Sequence, residues 1–537
     1  MKIVSKKQRI LIIEDDAALR VTIKSMLYPL IPCEIIEAKN ASVALRAMRR
    51  IRFDIVLSDY NLGHGQNGQQ LLEEAKFYKL LPQTAIFIML TAETSQNMFL
   101  SAMENKPDEY IAKPFNAQQL LHRIQKHYAR KQYIRDVDIA MESENWALAI
   151  KHCEVLLSKN NLTMHSQLVK MRAELALHIG DLDTAEKYYQ EILETRELYW
   201  ASHGLGVIAY LRNKFPQAIE IFKKIINDAP MYMESYDWLA QAFEANDQPE
   251  DAQNILKQAV TFSPLGIVRQ RRLGVIAQKN GSAEIAKTAF KAAVELGKSS
   301  IHKIPSDCYQ LAKIYQQNKE HSEFVKLFAY MRSEFANDPE AQIHALILEI
   351  EMLQQQNDLA KIARSAEKLV TLFESMHNVA QETQLTCAKI FYQTGNMTIA
   401  DKITAHLIQN YINDETLIQS IRDICAKTSH VSNIDTLIDK SRKLFKETNT
   451  KAVNVFKQGH FQEAIELLNY AMQEMPFNKS VVLNMALVLI QDMKKNGVEK
   501  QKLTQLDKCI TKMLKLEVDF KKINQAQIEY KKLKAGI

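Results

Sequence analysis

At 537 residues the chain is too long for one hydrophobic core, so several domains or a repeat array are expected. Apolar residues make up 47% and charged residues 25%, an ordinary balance for a soluble protein, and a net charge of +6 is too dilute to argue for nucleic acid. No stretch approaches the ~20 apolar residues of a membrane helix, and acids cut short the apolar run in MKIVSKKQRILIIEDD, so neither a membrane span nor a signal peptide is expected. Cys33, Cys153, Cys308, Cys387, Cys425 and Cys509 are widely separated, without CxxC spacing or nearby histidine ligands. They read as reduced thiols of a cytoplasmic protein, not as a zinc site or disulfide frame.

Up to about residue 127, short apolar runs alternate with amphipathic ones. RILIIE, CEIIEA, DIVLS, AIFIML and EYIA have strand length and β-branched character. Helical patterns lie between them, near 17–28, 41–51, 68–80, 95–104 and 116–128. Strands as continuously apolar as ILII and IFIML suit a parallel sheet covered by helices on both faces. Five such units predict a flavodoxin-like, doubly wound five-stranded domain whose ligand site lies at the carboxyl ends of its strands.

Those ends are unusually polar. The first strand runs into Glu14-Asp15-Asp16, the third ends at Asp59, the fourth at Thr91-Ala92, and the fifth runs into Lys113-Pro114-Phe115. Clustered carboxylates repel unless a cation is near, and oxygen ligands beside open water positions suit Mg²⁺. Asp59 can act as a nucleophile towards phosphorus. Mg²⁺ held by Asp15, Asp59 and the backbone carbonyl of Asn61, with Glu14 acting through water, would neutralise the incoming oxygens. Lys113 and the Thr91 hydroxyl would each take a phosphoryl oxygen. Gly63, Gly65 and Gly68 are expected to let the loop after Asp59 curl.

LIIEDD, VLSDYNL, MLTAE and YIAKPF, in that order, resemble the receiver domain of two-component response regulators. The resemblance implies phosphorylation of Asp59 by a sensor histidine kinase or phosphotransfer protein. It also implies a switch in which Thr91 moves and Tyr110 changes rotamer, with a cis peptide before Pro114. Asn61 and Glu93 occupy positions that influence how long the phosphate survives, and predict a short to moderate lifetime. Gly63 stands where the family usually has proline, and Gly68 comes one residue late, so the loop is longer. DYNLGHGQNGQQ fails as a calcium loop because His64 and Gln70 replace the glycine and glutamate it needs. No GxxxxGK[ST] occurs, so an NTPase is unsupported.

From about residue 130 a 34-residue period takes over. Ala218, Ala252 and Ala286 keep the step, as do Gly206, Ala240 and Gly274, and Leu205, Leu239 and Leu273. Phe222, Leu256 and Phe290 repeat it, and so do Pro230 and Pro264. The spacing resembles the tetratricopeptide repeat, a helix–turn–helix unit that stacks into a solenoid. Weaker copies surround Ala149, Ala185, Ala400 and Ala464, giving about seven to nine repeats. Residues 300–450 stay helical by pattern but lose the columns.

The expected division is a receiver over 1–128, clear repeats over 129–298, divergent repeats over 299–500 and a basic capping helix or tail over 501–537. HYARKQYIRD at the first junction reads as helix running stiffly into the repeats. The resemblance implies a protein ligand for the repeat groove. Lys170 and Glu174, His203 and Val207, and Asp237 and Gln241 do not form a carboxylate clamp. Arg271 and Arg272 fall near groove-facing positions and could meet an acidic partner, but read first as solvated or paired within the array. The chain is therefore read as a response regulator with a protein-binding output, not a dedicated enzyme, with self-association left open. A phosphate sink that sequesters a sensor kinase is the alternative. Transcriptional control through the basic carboxy-terminal segment lacks a recognition-helix pattern.

Overall fold

The computed structural model describes residues 8–28, 33–92, 107–376, 379–426, 434–516 and 518–536. It divides into two compact units, residues 1–210 with 214–304, and residues 305–537 with 211–213. The first unit opens with five parallel strands, β1 (Gln8–Ile13), β2 (Cys33–Ala38), β3 (Ile55–Asp59), β4 (Ile86–Thr91) and β5 (Glu109–Ala112), in the order β2-β1-β3-β4-β5. The helix expected over 95–104 lies outside the described residues.

Alternate side chains leave the sheet on opposite faces, and both faces are dry. Leu11, Ile13, Val56, Phe87 and Met89 pack with α2 (Ala41–Arg50) and α3 (Gly68–Phe77). Ile10, Ile12, Ile55, Leu57 and Ile88 pack with α1 (Ala17–Leu27) and the Ala117–Tyr133 helix. Burying each such side chain contributes about 1.5–3 kcal/mol relative to exposure. Asn67 and Asn116 open their helices with complete capping boxes, closed by Gln70 and Gln119. Register then fixes the site: Ile13 lies beside Ser58, Asp59 beside Leu90, and Thr91 beside Ala112. Glu14, Asp59, Thr91 and Lys113 are thus brought to one edge by backbone pairing alone.

The junction with the repeats differs from the sequence reading. The last helix of the α/β domain stops at Tyr133, Ile134 leaves helical geometry at φ −98° and ψ 8°, and a separate helix spans Arg135–Glu142. The break places Ile134, 3% exposed, in a core with Val137, Ala149 and Leu168, so the chain turns where an apolar side chain gains cover.

Helical hairpins follow. Gly206 and Gly274 lie against the rings of Phe222 and Phe290, where an added Cβ would sit 2.6 Å and 3.0 Å from the ring atoms. Ala218, Ala252 and Ala286 are buried, as are Ala149, Ala185, Ala400 and Ala464 of the weaker copies. A left-handed residue marks each of nine hairpin turns among the described residues: Glu144, Gly180, Asn213, Asp247, Gly281, Lys319, Asn357, Gly395 and Gly459. These turns show why the columns fade after residue 300. From Asn213 to Gly281 they are 34 residues apart, and from Gly281 to Gly395 they are 38 apart, so the repeat lengthens instead of ending.

In the second unit, His344 is buried against Tyr309, ring centroids 4.1 Å apart, with Nε2 3.4 Å from the Thr383 hydroxyl. A helical turn of π type at Lys446–Thr450 buries Asn449, whose side chain accepts from Asn484 at 2.8 Å. The carboxy-terminal segment holds two helices, Lys500–Lys515 and Phe520–Ala535, where one was expected. Both bury an apolar stripe, including Leu506, Cys509 and Met513 on the first and Ile523 and Ala526 on the second. Lys502 reaches Asp492 at 2.7 Å, so part of the basic face is paired.

Two outcomes follow from this packing. Gly206→Ala drives a methyl into the Phe222 ring and is expected to lower stability by about 1–3 kcal/mol, read as a fall in the urea midpoint. Burial pushes the His344 imidazole down to about 4 from an ordinary 6.5, so the unfolded chain takes up the proton first and stability is lost as pH falls from 6.5 towards 4. Between pH 7 and pH 5 the wild type should lose roughly 2 kcal/mol more than His344→Gln, measured by urea unfolding of both proteins at each pH.

Candidate functional site

The site forms where the strand ends meet the starts of α1 and α3. Asp16 caps α1, its Oδ1 accepting from Ala18 at 2.7 Å and Leu19 at 3.0 Å, and these backbone hydrogen bonds hold its carboxyl below the usual range. With Asp16 so used, Glu14 and Asp15 are left to face the pocket. Arg20, one turn into α1, donates to the carbonyls of Glu14 at 2.5 Å and Asp15 at 3.0 Å and fixes the backbone of the acidic turn. The sequence reading missed Arg20, although a cation one turn after an acidic strand end was the available signal.

One oxygen each from Glu14, Asp15 and Asp59 can be chosen so that all lie within 4.8 Å of one another. Glu14 is 1% exposed and Asp59 7%, whereas Asp15 faces solvent. Lys113 bridges the two buried acids, its Nζ 2.7 Å from Glu14 Oε2 and 3.0 Å from Asp59 Oδ2. Burial raises the Glu14 carboxyl above its ordinary value, the Lys113 hydrogen bond pulls it back, and the Asp59 charge raises it again. Burial alone would lower the Lys113 amine, but hydrogen bonds to Glu14 and Asp59 outweigh it and leave the amine raised. Among the described residues, one amine, Lys113, meets this carboxylate trio and leaves it with excess negative charge, and one acid open to water suits a hard divalent cation.

Thr91 is buried, its carbonyl accepting from the Lys113 backbone at 2.7 Å, and Ala92 is exposed beside it. The Lys113–Pro114 peptide is cis. The Tyr110 ring lies against the core on the α3 face of the sheet, and burial raises its phenol. The Asn61 side chain accepts from the Gly63 backbone at 3.3 Å. Glu93 lies outside the described residues.

The loop glycines divide by role. Gly63 and Gly65 adopt φ of 74° and 104°, as the expected curl requires. Gly68 does not, and its need is space: an added Cβ would sit 2.2 Å from the Asp59 carbonyl oxygen and 2.9 Å from Met89 Sδ. Its own N–H donates to the Tyr60 carbonyl at 2.7 Å. The start of α3 is therefore pressed against the end of β3.

Comparison with known proteins decides the family. Residues 10–125 match the family described as the response regulator receiver domain, and residues 170–234 match a tetratricopeptide repeat. The chain is 30% identical over 122 residues to the chemotaxis protein CheY of Pseudomonas aeruginosa, covering 23% of this chain and 97% of that one. The chain belongs to the response regulator family. The chemotaxis protein CheY-3 of Vibrio cholerae is also 30% identical, over 128 residues, covering 24% of this chain and 97% of its own. A solved CheY-like receiver from Methanospirillum hungatei is 28% identical, with 24% and 98% coverage and a TM-score of 0.22. The receiver implies a place in two-component signalling with a kinase or phosphotransfer partner, and the repeat match suggests protein interaction. Its acidic pocket is of the kind that binds Mg²⁺ in receivers. Among the described residues, no helix is long and apolar enough to cross a membrane.

In the repeats, polar positions named from the sequence are largely matched inside the fold. Lys170 pairs with Glu174 at 3.8 Å, and His203 Nδ1 lies 2.9 Å from Ser235 Oγ. Arg271 donates to the His302 carbonyl at 2.5 Å, and Arg272 meets Glu244 and the Asp237 carbonyl, so both are paired within the array. Arg269, which the sequence reading did not single out, grips Asp237 through two hydrogen bonds of 2.8 Å and 2.7 Å.

Gly68→Ala is expected to cost about 1–3 kcal/mol by overpacking against the Asp59 carbonyl. Urea unfolding of the full chain should show a lowered midpoint for this variant, and an unchanged midpoint would contradict the contact.

Proposed function

We propose that the protein is a cytoplasmic response regulator that takes a phosphoryl group on Asp59 and passes that state to its tetratricopeptide solenoid. The observation that carries this reading is the Lys113 bridge between Glu14 and Asp59 beside exposed Asp15. An Asp59 oxygen attacks phosphorus, the P–N bond of a donor phosphohistidine breaks, and its electron pair stays with the imidazole. Asp15, Asp59 and the Asn61 carbonyl, with Glu14 through water, would hold Mg²⁺, which when bound neutralises phosphoryl oxygens. Lys113 then exchanges its Asp59 contact for a phosphoryl oxygen, and the Thr91 hydroxyl donates to another. Tyr110, Ala92 and Pro114 belong to the responding strand ends, and Asn61 with Glu93 governs how water reaches the phosphate.

The same proposal assigns residues 1–128 to reception, 129–298 and 299–500 to protein binding through the repeats, and 501–537 to closing the array. Beyond this self-phosphorylation and hydrolysis, we assign no enzymatic activity to the chain.

Intact mass after incubation with Mg²⁺ and acetyl phosphate tests the chemistry. One phosphoryl group is expected on wild type and none on Asp59→Asn. Lys113→Ala should cut the uptake rate about 10²–10³-fold, the scale for losing one positioned charge at a reacting group. Wild type that gains no mass from acetyl phosphate or a phosphorylated donor would overturn the reading.

A further inference from the structure

The solenoid hairpins up to Ile304 belong to the same compact unit as the receiver, and α3 is one element that reaches them. Glu73 and Phe77 lie four residues apart and so share one side of that helix. Both reach His302: Glu73 Oε1 is 3.0 Å from His302 Nε2, and the Phe77 ring stands edge-on to the imidazole with centroids 6.4 Å apart. A carboxylate only accepts, so Nε2 carries the proton in this pair.

His302 is held in turn by the solenoid. Its carbonyl accepts from Arg271, and its N–H donates to Ser300 Oγ at 3.1 Å. Arg271 lies on the Ile267–Lys279 helix, which also carries the Arg269 and Arg272 side chains. Arg269 and Arg272, with Asp237, line one wall of a cavity of about 330 Å³, and Asn67, Gln70 and Glu73 of the receiver line the other. Glu73 meets His302 directly, and Lys298 and Lys303 line a second crevice with Glu74 and the loop residues His64 and Gly65.

We propose that α3 roofs the groove end formed by the Met233–Ala245 and Ile267–Lys279 helices, making the receiver an in-chain occupant of its own solenoid, and that phosphorylation of Asp59 loosens this contact. The second half rests on the phosphoacceptor reading above. The route is short and continuous. Gly68 presses on the Asp59 carbonyl, α3 runs from Gly68 to Phe77 as one helix, and its Glu73–Phe77 side meets His302. A phosphoryl group adds negative charge beside the amino-terminal end of α3, whose dipole attracts it. The start of α3 is already against the Asp59 carbonyl, so the helix answers by pivoting there, which draws Glu73 and Phe77 away from His302 and widens access to the cavity. Two further pairs, Arg52–Glu142 at 3.2 Å and Lys79–Glu144 at 3.3 Å, are largely exposed and contribute little.

Hydrogen exchange on the full chain tests both halves, with phosphoryl uptake from acetyl phosphate followed separately by mass. With Mg²⁺ and beryllofluoride, exchange over residues 298–304 and 267–279 should quicken by about fivefold or more in wild type, the lower end of ordinary coupling between sites, and stay unchanged in Asp59→Asn. The double variant Glu73→Ala/Phe77→Ala should exchange fast there without beryllofluoride while still taking a phosphoryl group. His302→Ala should do the same from the solenoid side. A double variant that keeps wild-type protection over 298–304 overturns the contact, even if Asp59 is phosphorylated normally. Wild type that takes the phosphoryl group yet shows no beryllofluoride effect overturns the coupling. If wild type takes no phosphoryl group, the receiver chemistry and the coupling both fail, and faster exchange in the double variant would still support the contact.

Discussion

Two nearly dry carboxylates, Glu14 and Asp59, share one amine, and the receiver pocket depends on that arrangement. Without Lys113 at 2.7 Å and 3.0 Å, two like charges would face each other across a space from which water is largely excluded. The bridge leaves the trio with Asp15 short of positive charge, which suits the pocket to a cation and a phosphoryl group. Parallel pairing delivers these groups to one edge, and Arg20 and Asp16 fix the acidic turn from below.

The solenoid rests on a different constraint, the close approach of paired helices. Gly206 against Phe222 and Gly274 against Phe290 set the spacing by matching a missing side chain to a ring. A left-handed turn residue reverses the chain each time, whether glycine or a residue such as Asn213 or Asp247 that tolerates the conformation. Because the turn geometry persists while some helices and some links between hairpins lengthen, the array continues through residues 305–410 after the side-chain columns have gone.

Much of the candidate site was legible because its residues stand directly after apolar strands. Asp59, Glu14, Asp15, Thr91 and Lys113 needed only strand order and register to converge. Gly68 was noticed for the wrong physical reason: its backbone is not left-handed, and what it supplies is room beneath the Asp59 carbonyl. Arg20 and Arg269 were missed because an arginine's long side chain finds its partner in three dimensions, and sequence spacing does not reveal whether that partner is a carbonyl or a carboxylate.

The sequence by itself determined the local grammar: five apolar strands, the polar residues at their ends, and a helical period of 34. Those features depend on neighbouring residues and on periodicity, which a linear chain displays. Only the tertiary structure decided that the helix at the junction breaks at Ile134, that repeats lengthen to 38 after Gly281, and that Glu73 meets His302 across 229 residues. Each of these depends on which surface is available to cover a side chain once distant segments have packed, and no local pattern records that.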